Sequence, residues 1–294
     1  MKIPVILGPT CIGKTSLAIE IAKQTNSDIL SIDSRQVFKD LDIGTGKYKG
    51  DAEVIKKEGY WEISGIRIWG YDFIHPSEEL NVLKYCEFAK KVIEDYKKNG
   101  KKILGTCGTG FYLDFLSGRI PFNNIDEVRK KELHKKSLLE LLKIAQDLGI
   151  DLKFDIQNKL RVITKILSNE VSDNTQHIFK VDGVEFLIFE LKDTRKNLYK
   201  NADIFVEEIL IKGLVEEYKN NYSKYGSCRS LDGLIYKQVG EYLEGKILFD
   251  EMKSQIKFSL HAYIRRQETY FKKMQIYYSN FNRQEVAYKI KEIL

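Results

Sequence analysis

Short apolar runs and amphipathic segments alternate through the first 118 residues of the chain. Residues 3–7 form an apolar run that ends at Gly8, which predicts a buried strand. Residues 14–24 carry apolar side chains at helical spacing with charged side chains opposite, which predicts a helix. Residues 29–32 predict a second strand. Strand, loop, helix and strand in this order form a βα unit, so the pattern predicts a parallel sheet.

Residues 42–60 interrupt this alternation, because they are rich in Gly, Lys and Asp and predict a loop. The alternation then resumes as far as residue 118, as in an α/β sheet of the nucleotide-binding type. The further predicted elements are strands at 66–69 and 103–104, a helix at 81–99, and a helix from Phe111 after the Gly-rich stretch 105–110.

Helical patterns dominate the chain beyond 118–121, where we place a boundary. Residues 185–191 are the exception, because their apolar run predicts a buried strand that returns to the sheet. We expect the first part of an α/β core at 1–120, a helical insertion at 121–180, and the return strand with C-terminal helices at 181–294. The predicted helices are 126–148, 156–167, 199–220, 231–243 and 250–280, with a turn-rich stretch at 168–176.

Composition and charge narrow the class of protein. A chain of 294 residues with 43% hydrophobic content suggests about two domains and excludes disorder. The net charge of +6 permits nucleic-acid binding without proving it. No window of about 18 apolar residues and no cleavage signal occur, so we expect no membrane association. Four widely spaced cysteines favour reduced thiols in a cytoplasmic protein.

The segment GPTCIGKT fits the phosphate-loop pattern G-x-x-x-x-G-K-[ST] between a predicted strand and a predicted helix. Its glycines let successive N–H groups point at phosphate oxygens. Lys14 supplies positive charge, and the Thr15 hydroxyl suits Mg²⁺. A diphosphate is the predicted ligand, although ATP kinases, GTPases and other diphosphate users share the motif. The predicted diphosphate-binding residues are Gly8, Pro9, Thr10, Cys11, Ile12, Gly13, Lys14 and Thr15.

Asp33 directly follows the second predicted strand. Ligands of doubly wound sheets bind at the carboxyl ends of the strands, so this carboxylate is predicted to face the phosphate loop. A carboxylate there can take a proton from an attacking group. An Asp-Ser pair is also suited to capping the next helix, and the residues alone leave both interpretations open.

Three motifs make the chain resemble the tRNA dimethylallyltransferase family: GPTCIGKT, DSRQVFKDLDIGTGK from Asp33, and GTGFYL from Gly108. GLVEEY, YLEG and RRQETYF match further along, so the resemblance covers most of the chain. It implies an α/β fold in which a parallel sheet like that of P-loop nucleotide kinases carries a helical insertion domain that binds tRNA. It also implies transfer of a dimethylallyl group from its diphosphate to the exocyclic N6 amine of the adenosine on the 3′ side of the anticodon.

The resemblance also implies roles for individual residues. Asp33 is the expected base for the amine proton, while Lys14 and a Mg²⁺ ion on Thr15 stabilise the departing diphosphate. The implied partners are dimethylallyl diphosphate and the anticodon stem-loop of tRNA, with the protein as a monomer. The implied tRNA-binding residues are Asp33, Ser34, Arg35, Gln36, Thr109, Arg129, Lys159, Arg161, Arg265, Arg266 and Gln267.

For the basic helices, the residues alone and the resemblance point in different directions. The segments 126–143 and 263–278 combine Lys and Arg with, in the second segment, interleaved aromatic residues. On the residues alone, solvated helix faces with a core-facing aromatic stripe are the favoured interpretation. The resemblance favours an RNA groove instead for Arg129 and for the Arg265-Arg266-Gln267 stretch.

The sequence departs from the family pattern at several positions. Asn201 and Phe205 stand where the family has arginines, and Lys159 and Arg161 are the nearest equivalents of another arginine pair. Ile235 replaces the usual glycine of its motif. A lost arginine beside a diphosphate costs on the order of 1.5–3 kcal/mol unless another cation replaces it. The candidate replacements are Arg229, Lys47 and Lys237.

Three other functions stay open. An adenylate isopentenyltransferase that acts on free AMP, ADP or ATP shares the loop, and some of these enzymes carry a cysteine like Cys11. A small-molecule kinase uses an acid in the position of Asp33. A non-enzymatic RNA-binding protein would account for the missing arginines. The DSRQV stretch, the basic insertion and the RRQ motif favour tRNA over a free nucleotide.

Overall fold

The structure of the protein is a computed structural model, and it divides into two compact units. The larger unit comprises Met1–Ser117 and Val181–Leu294, and the smaller unit comprises Gly118–Lys180. No helix among the described residues is long and apolar enough to cross a membrane. The described residues are 1–47, 53–123, 127–151, 156–170 and 176–294.

The larger unit is built on one sheet, and two short strands pair separately in the smaller unit. The described strands are β1 (Lys2–Leu7), β2 (Ser27–Ile32), β3 (Val54–Lys57), β4 (Tyr60–Ile63), β5 (Ile66–Trp69), β6 (Lys102–Cys107), β7 (Phe122–Asn123), β8 (Gln176–His177), β9 (Glu185–Leu191) and β10 (Tyr278–Asn280). The larger sheet has the order β10-β9-β1-β6-β2-β5-β4-β3 and is parallel from β10 to β5. The predicted α/β fold with a parallel sheet core is confirmed.

Helices cover this sheet and form the smaller unit. Along α1, Leu17, Ala18 and Ile21 are at most 1% exposed and join the core beneath the sheet, as their helical spacing predicts. The described helices are α1 (Lys14–Thr25), α2 (Val82–Lys98), α3 (Gly110–Leu116), α4 (Glu127–Lys135), α5 (Leu138–Asp147), α6 (Lys159–Glu170), α7 (Arg195–Ile211), α8 (Leu214–Tyr225), α9 (Tyr236–Leu243), α10 (Phe249–Phe271) and α11 (Arg283–Lys291).

The carboxyl ends of three parallel strands meet at one edge of the sheet. Leu7 of β1 pairs in register with Cys107 of β6, and Cys107 also pairs with Ile32 of β2. The residues that follow these strands therefore emerge side by side. They are the start of the phosphate loop, Asp33 and Gly108.

The prediction of a loop through 42–60 is wrong at its far end, and residues 48–52 lie outside the described residues. The strands β3 and β4 extend the sheet there in antiparallel fashion. Trp61 and Ile63 are buried and alternate with partly exposed neighbours. This alternation of buried and exposed side chains covers only four residues, with glycines and charged side chains around them. It is too short for the sequence to predict a strand there.

Three helices have other bounds in the structure than the sequence predicts. In each case the helical spacing of apolar residues continues past a position at which the backbone turns. The predicted helix at 199–220 is split by Gly213, whose φ of +96° suits glycine. The predicted helix at 231–243 begins only at Tyr236. The predicted helix at 250–280 ends at Phe271, and the chain then adds β10 beside β9 before α11.

The smaller unit encloses a core of its own. Leu133, Leu141 and Val162, from α4, α5 and α6, are 0% exposed. The predicted helix at 126–148 is two helices, because the Ser137 hydroxyl accepts the N–H of Glu140 and the Glu140 carboxylate accepts that of Ser137. This capping box begins α5. Residue 126, and residues 171–175 of the predicted turn-rich stretch, lie outside the described residues.

Candidate active site

The phosphate loop joins β1 to α1 and borders a cavity. Gly13 has a φ of +89° where the loop enters the helix, a conformation that glycine adopts without steric cost. The first N–H groups of a helix have no acceptor inside it, and residues 13–16 line the cavity. Lys14 Nζ donates to the Pro9 carbonyl at 2.8 Å, so the loop folds around its own lysine. This arrangement suits an anion.

The cavity has a volume of about 360 Å³ and two unlike walls. The sheet-side wall consists of the phosphate loop, Asp33 and Gly108, which follow parallel strands. The opposite wall is mostly apolar and comes from residues of the second half of the chain. We call it the helical wall, and its members are Phe205, Leu234, Ile235, Leu260, Tyr263 and Gln267.

Three polar side chains converge at Gly108. A Cβ atom added to this glycine would lie 3.0 Å from Asp33 Oδ2, 3.5 Å from Gln267 Nε2 and 3.7 Å from Lys14 Nζ. A side chain at position 108 would therefore fill the space between a carboxylate, an amide and an ammonium group. The glycine keeps that space open at the edge of the phosphate loop.

The two carboxylate oxygens of Asp33 have different neighbours. Oδ1 accepts the backbone N–H groups of Arg35 at 2.7 Å and Gln36 at 3.3 Å. Oδ2 faces Gly108. Among the described residues a turn, and not a helix, follows Asp33. The expected helix cap is therefore a turn cap made by Oδ1, and Oδ2 remains directed at the cavity.

The residues after Asp33 hold their loop through contacts inside the protein. Arg35 Nη2 donates to the Ser230 carbonyl at 2.5 Å, and burial lowers the pKa of Arg35. Gln36 Nε2 donates to the Thr45 carbonyl, and its Oε1 accepts the Ser31 hydroxyl. The N–H of Ser34 donates to Thr109 Oγ1 at 3.3 Å. Arg35 and Gln36 also line the cavity, whereas Ser34 and Thr109 tie two neighbouring loops together.

Gln267 lies at the phosphate loop. Its Oε1 accepts the N–H of Thr10 at 2.9 Å, and its Nε2 donates to the Gly108 carbonyl at 2.8 Å. The residue is 6% exposed. One buried amide therefore joins two parts of the sheet-side wall, the phosphate loop and Gly108.

Arg265 and Arg266, beside Gln267 on α10, point outward and are exposed. Arg265 Nη1 donates to the Tyr199 hydroxyl at 3.0 Å. The Arg266 guanidinium lies 5.8 Å from the centre of the Tyr263 ring. The three consecutive residues RRQ thus divide between a buried position at the cavity and two positions on the surface.

Glu217 is a functional candidate that sequence reasoning missed. Its carboxylate accepts the backbone N–H groups of Asp42, Ile43 and Gly44 at 2.8, 2.7 and 3.0 Å, and the Tyr236 hydroxyl at 2.6 Å. Burial and this carboxylate raise the pKa of Tyr236. Glu217 therefore fixes the segment 42–44, which leads into the cavity lining. The GLVEEY motif was the available signal, but no residue in it carried an evident role.

The cations suggested as replacements for missing arginines have other surroundings. Lys47 is fully buried and pairs with Asp42 at 2.8 Å and with Asp72, so its charge is already neutralised within the protein. Lys237 is exposed and lies 3.6 Å from Glu241. Arg229 is exposed. Lys47 lines the cavity wall, but its pairing with two carboxylates does not favour it as a replacement for a missing arginine.

One of the departures from the family pattern contacts the phosphate loop, and two others line the cavity. Asn201 Nδ2 donates to the Cys11 carbonyl at 3.4 Å, and Phe205 lines the cavity. Ile235 has φ +78° and ψ −57° and is 2% exposed. This conformation lies in the rare γ-turn region and costs a β-branched residue on the order of 1–3 kcal/mol. The strained backbone of Ile235 thus lies in the helical wall of the cavity.

The remaining candidate residues belong to the smaller unit. Arg129 Nη2 lies 2.6 Å from Glu170, and this ion pair raises the pKa of Arg129. Lys159 Nζ donates to the His134 carbonyl at 2.8 Å. Arg161 is exposed on α6. These cations are presented on a unit separate from the one that holds the phosphate loop.

A phosphate loop at the carboxyl edge of a parallel sheet, facing a helical wall across a cavity, defines a P-loop α/β protein with an anion-binding site. The chain belongs to the IPP transferase family. The family model with that description matches residues 36–274, and a model described as isopentenyl transferase matches residues 1–63. The resemblance to tRNA dimethylallyltransferases is thereby confirmed.

Similar proteins and structures cover nearly the whole chain. A tRNA dimethylallyltransferase from Acetivibrio thermocellus is 33% identical over 94% of this chain and 90% of its own length. One from Lachnoclostridium phytofermentans is 31% identical over 92% and 88%, respectively. The tRNA isopentenylpyrophosphate transferase structure from Staphylococcus epidermidis matches with a TM-score of 0.69 at 26% identity, over 99% of this chain and 97% of that one. The corresponding Bacillus halodurans structure shares the fold with a TM-score of 0.70 at 23% identity, over 99% and 95%.

Proposed function

We propose that the protein transfers a dimethylallyl group from dimethylallyl diphosphate to the exocyclic N6 amine of the adenosine next to the anticodon of tRNA, on its 3′ side. The observation that carries the proposal is the convergence of Asp33, Lys14 and Gln267 around Gly108 at the edge of the phosphate loop. A leaving diphosphate and a proton acceptor are both required there. The family membership supports the same reaction.

The phosphate loop holds the diphosphate as a leaving group. The bond between the allylic carbon and the diphosphate oxygen breaks, and its electron pair stays on the diphosphate. Backbone N–H groups of the loop and the Lys14 ammonium stabilise that charge where it develops. No phosphoryl group is transferred, so the loop serves a chemistry different from that of a kinase.

Asp33 removes the proton that the amine must lose. As N6 of adenosine bonds to the allylic carbon, the nitrogen gains positive charge and becomes acidic. Asp33 Oδ2 faces the open space at Gly108 and is 3.0 Å from the Cβ position there. The proton passes to this oxygen, while Oδ1 keeps its hydrogen bonds to the backbone of Arg35 and Gln36.

We propose Mg²⁺ as the metal ion, held by the Thr15 hydroxyl and by the diphosphate oxygens. Mg²⁺ favours hard oxygen ligands and is often bound through substrate phosphates and few protein groups. The residues fit this mode, because Thr15 is in the first turn of α1 and lines the cavity beside Lys14. When bound, the ion neutralises charge on the departing diphosphate.

We place the tRNA on exposed cations outside the cavity. Arg265 and Arg266 are exposed on α10 of the larger unit, and Arg161 is exposed on α6 of the smaller unit. Lys and Arg side chains in such positions neutralise RNA phosphates. We propose that a single cytoplasmic chain is the active form, since one chain supplies both walls of the cavity.

The proposal is tested by incubating the protein with dimethylallyl diphosphate and Mg²⁺, together with unmodified tRNA, AMP or ATP in separate reactions. Mass analysis of digested tRNA is expected to show one dimethylallyl group on the adenosine beside the anticodon. A reaction with the metal chelated is expected to show none. Transfer to AMP but never to tRNA would identify an adenylate isopentenyltransferase and overturn the proposal.

A further inference from the structure

The C-terminal helix α11 lies against the helix that follows the phosphate loop. Val286, Ala287 and Ile290 of α11 are at most 5% exposed and join the core cluster that includes α1. At its far end, Lys291 Nζ donates to Gln24 Oε1 at 2.9 Å. At its near end, Arg283 contacts Gly13. The two helices therefore run side by side in the same direction, with Arg283 at the phosphate loop.

Arg283 covers one face of the loop where the helix begins. Its Nη1 atom donates to the Gly13 carbonyl at 3.2 Å. A Cβ atom on Gly13 would lie 2.7 Å from the same nitrogen, so a side chain there would displace the guanidinium from this position. The side chain is half-buried. The positive charge of Arg283 thus lies beside Gly13, the residue that precedes Lys14. Because the guanidinium is partly removed from water, its attraction for an anion is stronger than in bulk solvent.

No carboxylate of the described residues forms an ion pair with Arg283, whose guanidinium donates to the Gly13 carbonyl instead. Lys47, by contrast, is paired with Asp42 and Asp72. From α7, the loop and the cavity are faced by the uncharged Asn201 and Phe205. Arg283 and Lys14 are thus two cations in direct contact with the backbone of the loop.

We propose that Arg283 is a positioning residue of the diphosphate site, which holds the phosphate loop through Gly13 and supplies positive charge to it. This inference rests on the proposed function of the loop. Neither family model extends to Arg283, because the matches end at residue 274. The site is therefore completed by a helix outside the matched region.

The test measures binding of inorganic pyrophosphate with Mg²⁺ by calorimetry. The variants are Arg283→Gln, which removes the charge, and Arg283→Lys, which keeps it. Arg283→Gln is expected to bind pyrophosphate roughly tenfold more weakly, and Arg283→Lys within about threefold of the wild type. Lys289→Gln makes the same charge change at an exposed position of α11 that pairs with Glu292, and is expected to leave the affinity unchanged.

Steady-state rates separate positioning from a general loss of structure. Arg283→Gln is expected to raise KM for dimethylallyl diphosphate by a similar factor, with kcat and KM for tRNA little changed. Wild-type affinity in Arg283→Gln, or an equally weak Arg283→Lys, overturns the inference. A wild-type protein that binds pyrophosphate but transfers no prenyl group to tRNA would refute the proposed function and leave the role of Arg283 intact. Absence of pyrophosphate binding by the wild type would refute both.

Discussion

The two walls of the cavity differ in how the chain builds them. The residues of the sheet-side wall come directly after three strands that are adjacent in the sheet. The register of these strands therefore brings its polar groups together. The helical wall comes from positions between 205 and 267, far along the chain from the loop that it faces. The sheet-side wall carries the charged groups of Lys14 and Asp33, whereas the helical wall is mostly apolar.

Polar contacts between the two halves of the chain show what the second half contributes to the cavity. Gln267 accepts the N–H of Thr10, Asn201 donates to the Cys11 carbonyl, and Glu217 accepts the N–H of Gly44. Each contact ends on backbone of a loop that lines the cavity. The second half of the chain therefore fixes the shape of these loops, while the first half holds the groups to which we assign the chemistry. Substitutions in the two regions should therefore change different properties: turnover in the first half of the chain, and stability or ligand binding in the second half.

The largest effect is expected at the proton acceptor of the sheet-side wall. Asp33→Asn keeps an oxygen for the N–H groups of Arg35 and Gln36 but no longer accepts a proton. Turnover is expected to fall by about 10²- to 10⁴-fold, measured as single-turnover prenyl transfer to tRNA with both substrates saturating. Asp182→Asn, at an exposed carboxylate, is the control. Near-normal turnover in Asp33→Asn would remove Asp33 from the chemistry.

The second-largest effect is expected on stability, for a substitution in the second half of the chain. Glu217→Ala leaves three backbone N–H groups and the Tyr236 hydroxyl without their acceptor. The free energy of unfolding in urea is expected to fall by about 2–4 kcal/mol. Glu216→Ala, next to it on α8, removes only an exposed pair with Lys219 and should change stability by less than about 0.5 kcal/mol. Equal losses in the two variants would contradict the role given to Glu217.

The sequence predicted the sheet-side wall better than the helical wall, for a physical reason. A strand, a glycine-rich loop and a helix are local, so Gly8 to Thr15 and the position of Asp33 could be inferred from spacing. Glu217 and Gln267 bond to backbone groups 159 or more positions away, and no periodicity in the chain encodes such partners. The strands β3 and β4 and the break at Gly213 were missed because tertiary pairing and one backbone angle decide them.

A smaller effect on donor binding is expected at Gln267, where the two regions touch. Gln267→Leu has similar size but leaves the Thr10 N–H and the Gly108 carbonyl unpaired. KM for dimethylallyl diphosphate is expected to rise roughly tenfold, because a loop that has lost a hydrogen bond binds its ligand less tightly. The affinity for tRNA should stay unchanged. A loss of tRNA affinity with normal donor KM would instead support the direct tRNA contact that the family resemblance implies for this residue.

The smallest effect is expected on the outer face of the same helix, in the salt dependence of tRNA binding. Arg265 donates to the Tyr199 hydroxyl and Arg266 lies over the Tyr263 ring, and neither neutral partner cancels the charge that an RNA phosphate would meet. Each phosphate contact contributes about one unit to the slope of log affinity against log salt concentration. Arg265→Gln and Arg266→Gln should each flatten that slope by about one unit.

Arg195 is the matched control for this measurement, because Glu268 already neutralises it at 2.7 Å. Arg195→Gln should leave the slope nearly unchanged, although it removes the same charge from the neighbouring helix α7. If all three variants shift the slope equally, net charge rather than a defined RNA contact governs binding. If none shifts it, Arg265 and Arg266 belong to a solvated face, and the tRNA-binding surface must lie elsewhere on the protein.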